Sequence, residues 1–267
     1  MYVDVHTHLT HELFTTDWRT VVTRAEAAGL KAIVVNGLEP SSNRQILKMA
    51  EDYTVIKPAL GIYPVEAVCH QLPSDFKLEV ARFDVDAEID FIASAAATGK
   101  LAAVGECGLD GYWLDQSTFA EQERVFGRLI DVALKYDLPL IIHTRKLEPR
   151  AVAILQERRV TKVNFHCFGG RTRLAQQCAE SHGWYFSIPA NATVNEAFRK
   201  MLKTLPPERI LTETDAPYLP PRKGERNEPA NVIGTVKILA ELRAWSFEKA
   251  AEQVWSNYSD LFGAKWS

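Results

Sequence analysis

Short apolar segments alternate with longer amphipathic segments along almost the whole chain, and this alternation restricts the fold more than any other feature. The apolar segments have the length and composition of buried strands, and the amphipathic segments repeat their apolar residues at helical spacing. Such strands, alternating with helices, are typical of a parallel sheet covered by helices. Strands are predicted at about residues 1–8, 31–35, 55–61, 101–105, 138–142, 162–165, 184–188 and 209–213.

About eight strand–helix units favour closure of the sheet into a (β/α)8 barrel, the TIM barrel of the α/β class. An open doubly wound sheet is the alternative, but histidines, and not a glycine-rich phosphate loop, follow the first strand. The 267 residues contain no internal repeat, low-complexity segment or linker, and such barrels commonly have about 250 residues. We therefore predict a single domain over residues 1–267, with the helical segment 231–266 packed outside the barrel.

The composition, with 46% hydrophobic and 24% charged residues, is that of an ordinary globular protein. The four cysteines show no paired spacing. With no signal peptide or long apolar span, we expect free thiols and a cytoplasmic protein without a membrane segment. The net charge of −3 argues against tight binding of duplex nucleic acid, because phosphate contacts depend on clustered lysine and arginine. A local cluster of basic residues at a substrate-binding opening is compatible with this net charge.

His6 and His8 end the first predicted strand, in the sequence VDVHTH. Side chains alternate between the faces of a strand, so both histidines point to the same side. Two neutral imidazoles at a strand end can bind one divalent metal ion together. A chance surface pair is the alternative that this motif alone leaves open.

Further histidines and carboxylates follow other predicted strands. In a barrel the C-terminal ends of the strands converge on one mouth, where barrel enzymes have their active sites. The residues expected to meet there are four histidines and two carboxylates: His6, His8, Glu106, His143, His166 and Asp215. They suffice for two divalent ions if a carboxylate is shared, and we expect Glu106 to be shared. For each residue taken singly, a core histidine or a helix-capping carboxylate is the alternative.

Five ordered motifs resemble the signature blocks of the TatD-type metal-dependent deoxyribonucleases of the amidohydrolase-like superfamily. They read DVHTH from residue 4, GECGLD from 105, IHTR from 142, HCFG from 166 and ETDAPYL from 213. The resemblance covers nearly the whole chain and implies a (β/α)8 barrel with these six residues as metal ligands. It also implies hydrolysis of phosphodiester bonds in DNA, from the 3′ end and supported by Mg²⁺. We expect two divalent ions, Mg²⁺ or Mn²⁺, with Zn²⁺ as the alternative.

The chain departs from this family's pattern after the third strand. Where the family usually has Gly-x-His-Pro-His, this chain has GIYPV from residue 61, so Tyr63 and Val65 stand in place of both histidines. Tyrosine can donate a hydrogen bond but cannot carry a proton near neutral pH as imidazole does. We therefore expect the change to affect substrate handling and to leave the metal ligands intact.

The predicted mechanism uses a water molecule that the metal ions acidify. Asp215 is expected to orient this water and take its proton, while Glu106 holds the ions. Four further residues are expected near the substrate: Tyr63, Arg145, Asn191 and Glu213. Arg145 would pair with a phosphate, with a structural ion pair as the alternative. Glu213 can instead support a ligand histidine, and Asn191 can instead form a turn.

The predicted function is a metal-dependent hydrolase of ester bonds, namely a deoxyribonuclease with 3′–5′ exonuclease activity on single-stranded or frayed DNA ends. A small phosphodiester is the alternative substrate. Barrels with similar metal sites also hydrolyse lactones, esters and amides, so a hydrolase of such small molecules is the alternative. A non-catalytic, metal-stabilised binding protein is a third interpretation, against which the complete ligand set argues. A monomer is compatible with all three.

Overall fold

Eight parallel strands form one sheet in the computed structural model, which describes residues 1–267. Neighbours in the sheet are also neighbours in the sequence, and every pairing between them is parallel. The strands are β1 (Tyr2–Thr7), β2 (Leu30–Asn36), β3 (Ile56–Leu60), β4 (Ala103–Asp110), β5 (Leu140–Arg145), β6 (Val163–His166), β7 (Tyr185–Ile188) and β8 (Ile210–Thr212). This strand order is that of a (β/α)8 barrel, so the predicted fold class is confirmed.

Ten helices connect or follow the strands. They are α1 (Trp18–Ala27), α2 (Pro40–Asp52), α3 (Pro64–Ala67), α4 (Val85–Ala97), α5 (Phe119–Lys135), α6 (Glu148–Glu157), α7 (Thr172–His182), α8 (Glu196–Thr204), α9 (Val232–Arg243) and α10 (Phe247–Phe262). Local signals fix their ends. Glu39 caps the N-terminus of α2 ahead of Pro40, and Gly183, with a φ of 68°, ends α7 in the left-handed conformation that glycine favours.

One large core holds these elements together, and it contains 75 buried apolar residues from strands and helices alike. A second, small cluster lies beside α3 and consists of Val65, Val68, Leu72 and Leu114. The predicted helical tail is α9 and α10, and Asn257 on α10 donates a hydrogen bond of 2.7 Å to the carbonyl of Ile210 on β8. The single-domain organisation of residues 1–267 stays a prediction. None of the helices is long and apolar enough to cross a membrane.

The fourth strand differs from its prediction, because the predicted end at residue 105 is wrong and β4 continues to Asp110. Glycine makes this continuation possible. A Cβ atom on Gly108 would lie 1.9 Å from the carbonyl oxygen of His143 on β5, and Gly108 has a φ of 143°. The two strands can therefore pair this closely only with glycine at that position. As a result, Glu106 lies within β4 and not after it.

Side-chain hydrogen bonds help to join β1 to the segment after β8, where the barrel closes. The backbone N–H of Asp215 donates to the carbonyl of His6 at 2.9 Å. The buried carboxylate of Asp4 accepts hydrogen bonds from the backbone N–H and the hydroxyl of Thr214, at 2.9 and 2.5 Å. It also accepts from the backbone N–H of His6 at 3.2 Å. Asp4 thus links the first strand to the segment that follows the last strand.

Removal of the Asp4 carboxylate tests this closure. We expect Asp4→Ala to lower the free energy of unfolding by about 3 kcal/mol, because three buried donors lose their acceptor. Urea unfolding measures the change. The control is Asp86→Ala, which removes a half-exposed carboxylate between Arg124 and Arg128 and should cost less than about 1 kcal/mol. Equal losses in the two variants would contradict the role of Asp4.

Candidate metal centre

The structure brings the six predicted ligands together at the C-terminal ends of the strands. His6 lies in β1, and His8 follows that strand. Glu106 lies in β4, His143 in β5 and His166 in β6, and Asp215 lies in the segment after β8. Asp215 has the most exposed side chain of the six, at 15%. Three sets of three ligand atoms each lie within 4.8 Å of one another, and a single ion can be held by each set.

The backbone after β8 places Asp215 beside the end of β1. The N–H of His8 donates to the carbonyl of Ala216 at 2.8 Å, and the hydroxyl of Thr7 donates to the same oxygen at 3.3 Å. Asp215 has a φ of 57°, in the left-handed region that few residues other than glycine adopt. This conformation and these bonds hold the Asp215 carboxylate 3.4 Å from Nε2 of His8.

The carboxylate of Glu106 lies at the centre of the cluster, and each of its oxygens faces a different pair of histidines. Oε2 is 3.3 Å from Nε2 of His6 and 3.3 Å from Nε2 of His8. Oε1 is 3.0 Å from Nδ1 of His143 and 3.0 Å from Nε2 of His166. Each oxygen of Glu106 therefore faces one pair of histidines, and the carboxylate of Asp215 lies near His6 and His166, one member of each pair.

Acceptors outside the cluster fix the protonated nitrogen in two of the histidines. Nδ1 of His8 is 3.2 Å from the carbonyl oxygen of Asn36, and Nε2 of His143 is 3.0 Å from the carboxylate of Asp110. A carbonyl or carboxylate can only accept, so in the neutral ring, the form that binds a metal ion, the proton is on the nitrogen that faces outward. The nitrogen that faces Glu106 then has its lone pair free for the ion. Without an ion, nearby carboxylates raise the pKa of both rings against the effect of burial.

Burial and charge set the protonation of the central groups. Burial lowers the pKa of His6 to about 4, so this ring is neutral near pH 7. Burial raises the pKa of Glu106, but the charge of His166 and hydrogen bonds from His143 and His166 hold it well below its usual value. Burial likewise opposes the ionised form of Asp215, but a hydrogen bond from His8 and the nearby histidines lower its pKa overall.

The donor set fits divalent metal ions. Nε2 of His6 and Nε2 of His8 lie only 3.1 Å apart, and both face the ionised oxygen of Glu106. Imidazole nitrogens and carboxylate oxygens directed into one buried volume are the ligands that Zn²⁺, Mn²⁺ and similar ions accept. The Nδ1 atoms of His6 and His166 are buried without hydrogen-bond partners.

Glu213 lies behind the cluster and not at its open side. Its side chain is completely buried, and Oε1 accepts a hydrogen bond of 2.8 Å from the backbone N–H of Cys167. The hydroxyl of Ser187 donates to the other oxygen. Oε1 also lies 3.8 Å from Nδ1 of His166. Of the two roles considered for Glu213, this position favours support of a histidine over contact with substrate.

The other three predicted substrate residues lie in loops or strand ends at the mouth. The ring of Tyr63 packs edge-on against His143, with ring centres 4.7 Å apart. The guanidinium of Arg145 lies 3.4 Å over the ring of Tyr112, and Arg145 forms no ion pair. Asn191 lies in a short turn after β7, and its Oδ1 is buried without a partner.

Sequence reasoning gave no role to Asp110, although a signal was present. Asp110 follows Glu106 by four residues in β4, and residues at even spacing share one face of a strand. Its carboxylate can therefore reach the same side of the barrel as Glu106. The prediction that the strand ended at residue 105 concealed this relation.

Tyr218 was missed as well, and its half-exposed ring lies edge-on to His8 and His11 at the mouth.

Known proteins resemble the chain over its full length. A family model described as "TatD related DNase" matches residues 3–263. The chain is 34% identical over 268 residues to the Bacillus subtilis protein named "Uncharacterized metal-dependent hydrolase YabD", with 98% of this chain and 99% of that protein covered. It is 31% identical over 264 residues to human "Deoxyribonuclease TATDN3", with coverage of 97% and 94%.

Two further similarities concern a bacterial enzyme and a solved structure. The chain is 30% identical over 271 residues to "3'-5' ssDNA/RNA exonuclease TatD" of Citrobacter koseri, with 97% of this chain and 98% of that protein covered. The crystal structure of YJJV, a TatD homologue from Escherichia coli K12, superposes with a TM-score of 0.84 at 26% identity. The superposition covers 98% of this chain and 97% of the Escherichia coli chain.

The hydrogen bond between Asp110 and His143 can be tested by inverting it. Oδ1 of Asp110 accepts from the backbone N–H groups of Tyr112 and Trp113, each at 2.7 Å. In Asp110→Asn the amide oxygen should keep those two bonds, so the NH₂ group faces His143 and donates to its Nε2. We expect the proton of His143 to move to Nδ1, the nitrogen that faces Glu106.

The ¹⁵N chemical shifts of the His143 ring nitrogens measure this change in metal-free protein, at a pH above the raised pKa of His143, where the ring is neutral. Asp115→Asn, an exposed aspartate in the same loop, is the control and should leave the shifts unchanged. The same His143 tautomer in Asp110→Asn as in the wild-type protein would contradict the assignment.

Proposed function

This chain belongs to the family of TatD-related DNases, and from this premise we propose that it is a metal-dependent hydrolase that cleaves phosphodiester bonds in single-stranded DNA from the 3′ end. The relatives named deoxyribonuclease and 3′–5′ exonuclease support the reaction class. The position of Glu106 between two histidine pairs is the observation that carries the proposal for this chain, since a shared carboxylate is what a two-ion phosphodiesterase needs.

Two divalent ions, Mg²⁺ or Mn²⁺ with Zn²⁺ as the alternative, are the proposed cofactors. His6, His8 and one oxygen of Glu106 would hold one ion, and His143, His166 and the other oxygen of Glu106 the second. When bound, such ions supply Lewis acidity toward phosphate oxygens and acidify water. Asp215 lies within reach of the ion that His6 and His8 would hold, because its Oδ1 is 3.6 Å from Nε2 of His6.

Asp215 is the proposed general base. It is ionised, because its pKa lies below the usual value, so it can accept a proton from an attacking water. It also has the most exposed side chain among the six ligand residues, which leaves it open to a water at the mouth. Glu106 is almost completely buried, so its role is to hold the ions in place while Asp215 moves the proton.

Arg145 is the proposed contact for a substrate phosphate. It lies at the end of β5, two residues beyond His143, and no carboxylate neutralises it. Stacking on Tyr112 keeps the planar guanidinium at the mouth. A free guanidinium with a fixed orientation can bind two phosphate oxygens at once. Asn191 and Tyr63 are proposed to contact the substrate on other sides of the mouth.

Exposed apolar side chains at the mouth fit unpaired bases. Six large hydrophobic residues of the protein are exposed, and four of these are in loops that follow strands at the mouth: Leu13, Tyr112, Val194 and Tyr218. Bases stack on aromatic rings such as those of Tyr112 and Tyr218 only when they are not paired inside a duplex. Together with the net charge of −3, this distribution supports a single strand or a frayed end as substrate. The neighbouring Trp113 is not among these exposed side chains, because it is partly buried against the small cluster beside α3.

A cytoplasmic location completes the proposal. The four cysteines are free, and three of them are buried, which suits a reducing compartment.

Substitution of Glu106 tests the proposed function directly. With Mg²⁺ or Mn²⁺ returned to metal-stripped protein, the wild type should shorten a labelled single-stranded oligonucleotide from its 3′ end and degrade a blunt duplex more slowly. Glu106→Gln removes the shared charge and should reduce the rate by about 10³-fold, since metal ions supply several kcal/mol of transition-state stabilisation. Circular dichroism and thermal unfolding of the stripped proteins verify that the fold is kept. Full activity of a folded Glu106→Gln variant would contradict the proposal.

Tyr218 tests the contact with bases. We expect Tyr218→Ala to raise KM for single-stranded DNA by about tenfold, because one base loses its stacking partner. Tyr218→Phe keeps the ring and should retain the wild-type KM. Steady-state kinetics on one oligonucleotide with the three proteins decide the matter. A loss in Tyr218→Phe as large as in Tyr218→Ala would assign the effect to the hydroxyl and not to stacking.

A further inference from the structure

Two segments at the mouth are joined by the side chain of Arg226. One is the loop after β1, which contains His11 and Leu13, and the other is the segment after β8, which contains Tyr218. The side chains of Leu13 and Tyr218 are exposed, at 54% and 51%. We call the surface formed by His11, Leu13 and Tyr218 the loop wall. It lies beside Asp215, which belongs to the same segment as Tyr218.

The guanidinium of Arg226 has partners in both segments. Nη1 donates to the carbonyl of Leu13 at 2.6 Å and to the carboxylate of Asp17 at 2.8 Å. Nη2 donates to the other oxygen of Asp17 at 2.7 Å and to Glu228 at 3.0 Å. The group also lies 4.4 Å over the ring of the buried Phe14. A two-pronged pair of this kind fixes its geometry more firmly than a single exposed ion pair does.

A closed chain of contacts leads from Arg226 through the loop wall and back. Leu13, whose carbonyl accepts from Arg226, donates its backbone N–H to Nδ1 of His11 at 3.1 Å. The ring of His11 lies edge-on to the ring of Tyr218, with ring centres 5.4 Å apart. The carbonyl of Tyr218 accepts a hydrogen bond of 2.7 Å from the side chain of Asn227, the residue after Arg226. The position of the Tyr218 ring therefore depends on both segments and on the guanidinium that joins them.

The metal ligand of the same segment, Asp215, is held by other bonds. Its backbone N–H donates to the carbonyl of His6 at 2.9 Å, and the carbonyl of Ala216 accepts from the backbone N–H of His8 at 2.8 Å. Neither bond involves the side chain of Arg226. Loss of the guanidinium should therefore loosen the loop wall and leave the metal ligands in place.

We propose that Arg226 is a positioning residue, which holds the loop wall so that an unpaired base of the strand can stack on Tyr218. This role rests on the proposed function, since it requires a single strand at the mouth. Arg226 acts through Tyr218 and not on the base, because its two terminal nitrogens are occupied within the protein. A wall that is already ordered binds a base without the entropic cost of ordering two segments. Arg226 therefore contributes to affinity for the strand and not to bond cleavage.

A double-mutant cycle of Arg226 and Tyr218 tests this role. The measured quantities are KM and kcat for one single-stranded oligonucleotide with the metal-loaded protein. Arg226→Met removes the guanidinium but keeps an unbranched side chain, and we expect KM to rise by about tenfold with kcat within about twofold of the wild type. Combined with Tyr218→Ala, it should still give a rise of about tenfold and not about a hundredfold, because both changes remove the same contact with the base.

Two further variants separate positioning from general damage. Arg24→Met removes a guanidinium of α1 that pairs with the same Glu228, at 2.7 Å, but has no bond to Leu13. It should keep the wild-type KM. Arg226→Lys keeps the charge but not the two-pronged geometry. It should raise KM less than Arg226→Met and replaces it in the cycle if the methionine variant does not fold.

The possible results distinguish this inference from the proposed function. A wild-type KM in folded Arg226→Met would overturn the positioning role, and so would a fall in kcat without a rise in KM. Effects that multiply to about a hundredfold in the double variant would overturn it too, since Arg226 would then act independently of Tyr218. In each case metal-dependent hydrolysis by the wild type would leave the nuclease function intact. Absence of hydrolysis by the wild type with any of Mg²⁺, Mn²⁺ and Zn²⁺ would overturn the function and the positioning role together.

Discussion

The contact of one buried carboxylate, that of Glu106, with two pairs of histidines is the interaction on which the mouth of this barrel depends. A buried carboxylate is costly unless positive charge and hydrogen bonds compensate it. Here the histidines supply only part of that charge, since burial keeps His6 neutral near pH 7, whereas Glu106 raises the pKa of His166 well above its usual value against the effect of burial. Divalent ions would supply further positive charge, which links the metal requirement of the proposed reaction to the geometry of the strands.

The barrel supplies this geometry through two local features. Gly108 allows β4 to approach β5 so closely that Glu106 and His143 meet. The hydrogen bonds of Asp4 with Thr214 join β1 to the segment that carries Asp215. Stability and function are therefore coupled at these positions, because the bonds that close the sheet also set the spacing of the ligands.

The sequence predicts much of this structure, and the reasons for its failures are physical. The alternation of apolar strands and helices identified the barrel, because a sheet buried on both faces leaves a clear hydrophobic pattern. The six residues at strand ends were found because a barrel brings those ends together. The extension of β4 to Asp110 was missed, since polar and glycine residues there do not follow an apolar strand pattern. The stacking of Arg145 on Tyr112 depends on packing in three dimensions, which no sequence pattern reports.

The central claim is that Glu106 is shared by two metal ions, and a crystal soaked in Mn²⁺ tests it most directly. The account predicts two peaks in the anomalous difference map at the mouth, one beside His6 and His8 and one beside His143 and His166, with one oxygen of Glu106 in contact with each. A single peak, or two peaks that Glu106 does not contact, would contradict the account.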